Sequence, residues 1–300
     1  MPSESPPLAI AIPTARRMVR ERGVIPPQIL LLLSISSVQL GAALSKNLFP
    51  HFGPSGMVVL RTICSALVLC AVWRPTFWRF TASQWRTVFL FGAVVAAMNL
   101  SFYSAINRLP LGIVVTIEFL GPLGVALAGS RRVSDLLWVL LAASGVALFS
   151  PWANARLDLL GLGLSGVAAS MWALYIILTA RFVQQFSGGG GLALAMGVAA
   201  LIATPFGLPR VVEHVGQPLL ILAGLGIGLL STTIPYSLEL AALRRLPTRV
   251  FSIMMSLEPA MAALAGLLVL RESLDARALV AIILVTFASV GATLTPGKAA

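Results

Sequence analysis

The chain has 300 residues, of which 58% are hydrophobic and only 10% charged, and its mean hydropathy is +0.95. A soluble domain carries roughly 25% charged residues, so a chain this poor in charge cannot cover a water-facing surface and its solvent must be mostly lipid. The net charge of +11 does not signal a nucleic-acid partner, because the basic residues stand in ones to fours between apolar runs, the pattern that sets topology in a bilayer.

In chain order, residues 1–24 form a polar, Pro-rich tail with Arg16, Arg17, Arg20 and Arg22 ahead of the first long apolar run. The tail lacks a short apolar core with a small-residue cleavage site, and reads as a retained cytoplasmic segment. Apolar runs follow at about 27–46, 54–73, 87–107, 110–129, 134–150, 158–182, 190–208, 218–242, 247–270 and 275–294, and each is about long enough to cross a bilayer. Cys64 and Cys70 lie inside one run, and His51 and His214 fall in predicted loops, so a metal site has no support. No cofactor is implied.

Lys and Arg set the orientation. With a cytoplasmic N-terminus, fourteen fall inside, against six outside: Lys46, Arg108, Arg156, Arg210, Arg271 and Arg277. That ratio puts both termini in the cytoplasm, which requires an even number of spans.

The sequence also repeats itself. Residues 108–129 align without gaps to 245–266, with nine of twenty-two positions identical, including Pro110/Pro247 and Pro122/Pro259. These segments are the fourth and ninth spans. Five spans per half invert the second half relative to the first, and inverted repeats are a transporter signature with the substrate site between the halves. The expected fold is therefore an all-α polytopic membrane protein of ten transmembrane helices in two inverted five-helix repeats, residues 25–152 and 153–300. About nine residues after Gly266, Glu272 among them, have no counterpart after Gly129.

An ionisable group at membrane depth is costly and is a functional candidate by default. Glu118 and Glu258 are expected mid-span, each beside a registered proline that removes a backbone hydrogen bond. The freed carbonyls are tolerated only against protein or water, so Pro122 and Pro259 point to a polar cavity or gate. The competing reading is a kinked packing helix with a satisfied carboxyl. Arg61, seven residues into the second span, could neutralise a carboxylate, hold a substrate carboxylate, or snorkel to an interface. Glu239 reads as a gate or packing residue. Gln39, Asn99, Tyr103, Trp172, Tyr175 and Tyr236 are polar groups inside spans; singly each is a packing contact, and Asn99, Trp172 and Tyr236 could together line a cavity.

Gly53-Pro54-Ser55-Gly56 fits an intramembrane serine protease, but no later span supplies the histidine base this chemistry needs. Gly163 to Gly166 fails in the same way, no Asp lies mid-span, and Gly224 to Gly228 lacks the rest of a dinucleotide fingerprint. An intramembrane enzyme or structural protein remains the competing class to an exporter.

Ser231-Thr-Thr-Ile-Pro-Tyr-Ser-Leu-Glu239, Leu246-Pro-Thr-Arg249, Met255-Ser-Leu-Glu-Pro259 and Leu270-Arg-Glu-Ser-Leu274 resemble the drug/metabolite transporter superfamily with two EamA domains. Gln39 to Lys46, Pro110-Leu-Gly-Ile, Glu118-Phe-Leu-Gly-Pro122 and Ser130-Arg-Arg132 carry the same likeness in the first half. More narrowly, the chain is similar to the inner-membrane threonine/homoserine exporters. The resemblance implies ten helices, cytoplasmic termini, alternating access, and efflux of threonine, homoserine and related small amino acids across the bacterial inner membrane. Other members of the superfamily export aromatic amino acids, other metabolites or drugs, so substrate stays open, as does oligomeric state, a monomer included. The sequence offers no nucleotide-binding loop, which makes proton antiport the simplest coupling, with Glu258 the first candidate carrier and Glu118 the second. The partners are a small amino acid, a proton and the lipid bilayer.

Overall fold

A computed structural model describes residues 25–76, 78, 80–128, 133–148, 158–186, 189–243, 245–246 and 254–294. The basic tail, most of the 244–253 segment and the last residues lie outside the described residues.

Every regular element among the described residues is helical. The helices are α1 (Pro27–Asn47), α2 (Phe49–Trp73), α3 (Ala82–Ile106), α4 (Leu111–Glu118), α5 (Leu120–Ala128), α6 (Val133–Ala147), α7 (Leu159–Gln185), α8 (Gly190–Val212), α9 (Pro218–Gly228), a π turn (Leu229–Thr233), α10 (Ile234–Leu243), α11 (Glu258–Leu270) and α12 (Ala276–Leu294). Among the described residues, five segments are long and apolar enough to cross a membrane: Pro27–Asn47, Phe49–Trp73, Ala82–Ile106, Leu159–Thr179 and Gly190–Val212; shorter apolar helices accompany them. Large apolar side chains crowd the perimeter, with Leu219 82% and Leu201 72% exposed. Such a surface is stable against acyl chains and not against water, and the chain is a polytopic membrane protein.

Local chemistry sets the ends. Proline opens α1, where its missing N–H costs nothing. Thr81 and Gln84 form a capping box at α3, and Asp158 caps α7 by accepting from the N–H groups of Leu160 and Gly161. His51, expected in a loop, lies in the first turn of α2, because that helix begins at Phe49 and is only broken at Gly53, where φ is 65°.

The helices pack α2 on α8, α3 on α7 and α8, α6 on α12, α1 on α10 and α11, and α4 on α11. At the centre, every residue of α4 is buried. It crosses α11 at Gly112, where a Cβ would come within 3.0 Å of Ala263 Cα. Leu111 lies against Gly266, further along α11. The two helices therefore run antiparallel, and the C-terminus of α4 meets the N-terminus of α11.

Both proline-bearing spans are broken. The fourth breaks at Phe119, between α4 and α5, three residues before Pro122. In the ninth, Ser256 and Leu257 form a turn and α11 starts at Glu258, with Pro259 in its first turn. Glu258 is thus not mid-helix, as expected from the apolar run, but the first residue of a new helix. Proline is accommodated there without loss of a bond, which explains why the chain breaks before it and does not kink at it.

Candidate functional site

The antiparallel crossing of α4 and α11 brings the two intramembrane carboxylates into one region. Glu118 is the last residue of α4 and 9% exposed; Glu258 is the first of α11 and 7% exposed. Glu258 lies within electrostatic reach of Glu118 and Glu239, and Glu118 within reach of the Arg61 charge. The described residues offer neither Glu118 nor Glu258 a hydrogen-bond partner. Buried polar groups are nearly always paired, so two buried carboxyls left unpaired among the described residues are candidates for a ligand or proton site.

Arg61 projects from α2 into a cradle built by α3 and the π turn. Its Nη1 donates to Tyr103 Oη at 2.9 Å, its Nη2 to Ser231 O at 3.2 Å and Thr232 Oγ1 at 3.0 Å, and its Nε to Thr232 Oγ1 at 3.3 Å. The guanidinium carbon stands 5.0 Å from the Tyr103 ring centre. A guanidinium has five N–H groups, and these four bonds leave one on Nη1 without a partner among the described residues. Thr232 occupies the Nε–Nη2 edge, so the remaining N–H is the one on Nη1. Tyr103 is fully buried, and its hydroxyl lies 3.2 Å from Ser45 Oγ, which itself donates to Gly41 O at 2.7 Å. With the Ser45 proton spent on Gly41, Tyr103 donates to Ser45 while accepting from Arg61.

The π turn explains why Arg61 finds a free carbonyl. Pro235 has no N–H to give Ser231 O four residues back, and the helix widens there. The exposed acceptors are then taken from outside: Leu230 O by Ser37 Oγ at 2.5 Å, Ser231 O by Arg61, and Pro235 O by Ser34 Oγ at 3.0 Å. Such widened turns recur at functional sites. Thr232 and Ser231 escaped the sequence reading; the available signal was a hydroxyl run four residues ahead of a proline.

Trp172 on α7 stacks edge-on against Phe119 at 5.7 Å, directly over the α4–α5 break beside Glu118. Asn99 is buried and donates its Nδ2 to Val95 O at 2.8 Å, and Gln39 Oε1 is buried without a partner among the described residues. Tyr175 packs on Phe91 at 5.0 Å. Glu239 is half-buried on α10, and the Tyr236 side chain lies outside the described residues. Ser55, of the rejected protease motif, gives its hydroxyl to Phe206 O at 2.8 Å. His51 and His214 meet edge to face at 5.5 Å.

Among the described residues, the arrangement is a pinned cation and two carboxylates without hydrogen-bond partners, between broken helices. It suits a zwitterion: a carboxylate for Arg61 and an ammonium for glutamate.

Comparison with known proteins identifies the family. The EamA-like transporter family matches residues 159–294. The threonine/homoserine exporter RhtA of Escherichia coli strain K12 is 40% identical over 274 residues, covering 91% of this chain and 92% of that protein. The exporter of the same name from Salmonella typhimurium strain SL1344 is 40% identical over 271 residues, covering 90% and 92%. A protein crystal structure with 17% identity superposes with a TM-score of 0.53 over 89% of this chain and 96% of that one, a likeness of fold. The chain belongs to the EamA-like transporter family.

Proposed function

We propose that this protein exports small amino acids, threonine and homoserine foremost, across the bacterial inner membrane by alternating access coupled to proton antiport. The relation to RhtA points to the substrates. The observation that carries the reading is the convergence of Arg61, Glu118 and Glu258, a charge pattern complementary to a zwitterion. Its place in a transporter family argues for transport and against an enzyme.

The fold proposed is ten spans in two inverted five-helix repeats with both termini cytoplasmic. The spans are α1, α2, α3, α4–α5, α6, α7, α8, α9–α10, the segment ending in α11, and α12. Two observations support the repeat. The breaks at Phe119 and Ser256 fall three residues before the registered prolines. The helix pairing is also symmetric: shifting each span by five maps α1–α10 onto α7–α3, α1–α11 onto α7–α4, and α2–α9 onto α8–α3, and returns α2–α8, α4–α11 and α6–α12 to themselves. A phosphatase reporter active only outside the cytoplasm should be silent when fused to Ala300, and activity there would overturn the ten-span arrangement.

Glu118 and Arg61 hold the substrate's ammonium and carboxylate, Trp172 and Asn99 border the site, and Glu258 carries the exchanged proton. A carboxylate that alternates between an apolar surround and water can take up and release a proton with the conformational cycle. Counterflow in proteoliposomes with a panel of radiolabelled amino acids tests the reading: threonine and homoserine should exchange. A panel in which only aromatic amino acids or drugs exchange would move the substrate assignment within the family.

A further inference from the structure

We infer that Lys46 and Glu272 form the latch that closes the extracytoplasmic end of the transport path, and that it is coupled to the substrate site through Ser45 and Tyr103. The inference rests on the export reading for its direction, but its geometry stands alone. Lys46 Nζ and Glu272 Oε1 lie 2.5 Å apart although 226 positions separate them in the chain. The same ammonium donates to Leu109 O at 3.1 Å, and the other carboxylate oxygen accepts the N–H of Leu111 at 2.9 Å. One ion pair therefore ties the end of α1, the α3–α4 turn and the α11–α12 loop.

The pair uses helix ends as well as charge. Lys46 sits in the last turn of α1, where carbonyls favour a cation, and Glu272 accepts from the first N–H of α4, where the dipole favours an anion. α4 has no side-chain cap of its own, since its N-cap is Pro110. The other half of the protein supplies it. Two backbone features exist to put Glu272 there. Arg271 ends α11 in the left-handed region at φ 56°, which turns the chain back toward α4. Gly266 leaves room for the carboxylate, since a Cβ would lie 2.7 Å from Glu272 Oε2. Glu272 also belongs to the stretch that the first half of the chain lacks, so the latch is an addition to the repeat and not a product of its symmetry.

The strength of the pair suits a part that must open. The side chains are 22% and 15% exposed. A fully buried pair would be costly to separate and an exposed one contributes about 1 kcal/mol or less; this part-buried pair stands between the two. Opening this end separates α1 from the α11–α12 loop and displaces Ser45, one residue from Lys46. That breaks the Ser45–Tyr103 bond and loosens the cradle of Arg61. Latch release and release of the substrate carboxylate are thereby one event.

The test uses the full chain with Cys64 and Cys70 replaced by alanine. In the Lys46→Cys/Glu272→Cys variant, a reducible bifunctional thiol reagent long enough to span the two positions should cross-link the pair and stop counterflow, and reductant should restore it. Cross-linked protein that transports at the reduced rate overturns the latch. The second arm needs no substrate. An Ala42→Cys reporter, buried one turn of α1 before Lys46, should react with an impermeant external maleimide at least about fivefold faster when Glu272→Gln is added, and an unchanged rate overturns the proposal. Faster labelling by a protein that exchanges none of the amino acids supports the latch and sinks the export reading instead.

Discussion

Glu118 and Glu258 both stand at a broken helix, but at opposite poles of it. Glu118 closes α4, where the last carbonyls point outward and favour a positive charge; Glu258 opens α11, where free N–H groups favour a negative one. The two are also not equivalent in the register of the repeat. The position matching Glu258 in the first half is Gly121, and the position matching Glu118 in the second is Met255. The structure explains both exchanges. A Cβ at Gly121 would overlap the Ala169 carbonyl oxygen, because α5 runs against the α7 backbone there. Met255 packs against the apolar cluster of Leu30, Leu31 and Ile35, where a carboxylate would be buried among methyl groups. Each half can carry its carboxylate only where its neighbours allow, and the result is one acid beside carbonyls and one beside amides. On the proposed reading, Glu118 takes the substrate ammonium and Glu258 the proton.

The sharpest break of this comparison is Glu258→Gln, which keeps shape and hydrogen bonding but cannot cycle a proton. Efflux driven by an imposed pH gradient should be abolished in proteoliposomes while substrate exchange persists. If pH-driven efflux survives at the parent rate, Glu258 is not the carrier. Glu118→Gln should act on affinity, since a hydrogen bond to a charged group contributes about 1.5–3 kcal/mol. The half-saturating amino-acid concentration should rise about 10–100-fold, and an unchanged value would remove Glu118 from the site. A smaller effect tests why the acids differ in register. Gly121→Ala should destabilise by about 1–3 kcal/mol through overpacking, whereas Met255→Leu should cost less than about 1.5 kcal/mol. Thermal unfolding in detergent compares them, and equal stability of the two variants would refute the steric account.

The smallest effect concerns the turn that leads into α4. Arg108 Nη1 and Asp158 Oδ2 lie 2.6 Å apart at an exposed position. The Arg108 hydrogen bond, with those from the backbone N–H groups of Gly161 and Leu160, holds the Asp158 carboxyl below its ordinary value. A depressed folded-state value means stability that is present above the ordinary aspartate range and lost as pH falls through the lowered value. The melting temperature of Asp158→Asn should therefore lie below that of the parent at neutral pH, by a margin that closes in strong acid. A margin that widens in acid would contradict the sign.

Much of this was legible in the apolar runs, because spacing by bilayer thickness survives any detail of packing. Pro122 correctly located a break beside Glu118. Pro259 misled, since a proline two residues into a helix and one inside it leave the same mark on the sequence. Arg61 was legible as a misplaced charge, but its partners were not. Tyr103 and Thr232 belong to other helices, and nothing local to them announces a guanidinium. Lys46 reads as a topology-setting charge and Glu272 only as part of an unmatched stretch until the fold joins them.

The π turn has a consequence for how motion passes through the helix. Before it, Gly224 and Gly228 lie against Leu60 and Arg61 of α2; after it, Pro235 is held by Ser34 of α1. A turn that holds an additional residue shifts the angular phase of everything beyond it, and each residue counts for 100° of an α-helix. α9 and α10 are therefore two cranks on one shaft, set at different angles and bearing on different neighbours. Migration of the wide turn by one residue would re-phase α10, and with it Glu239, without sliding α9 along α2.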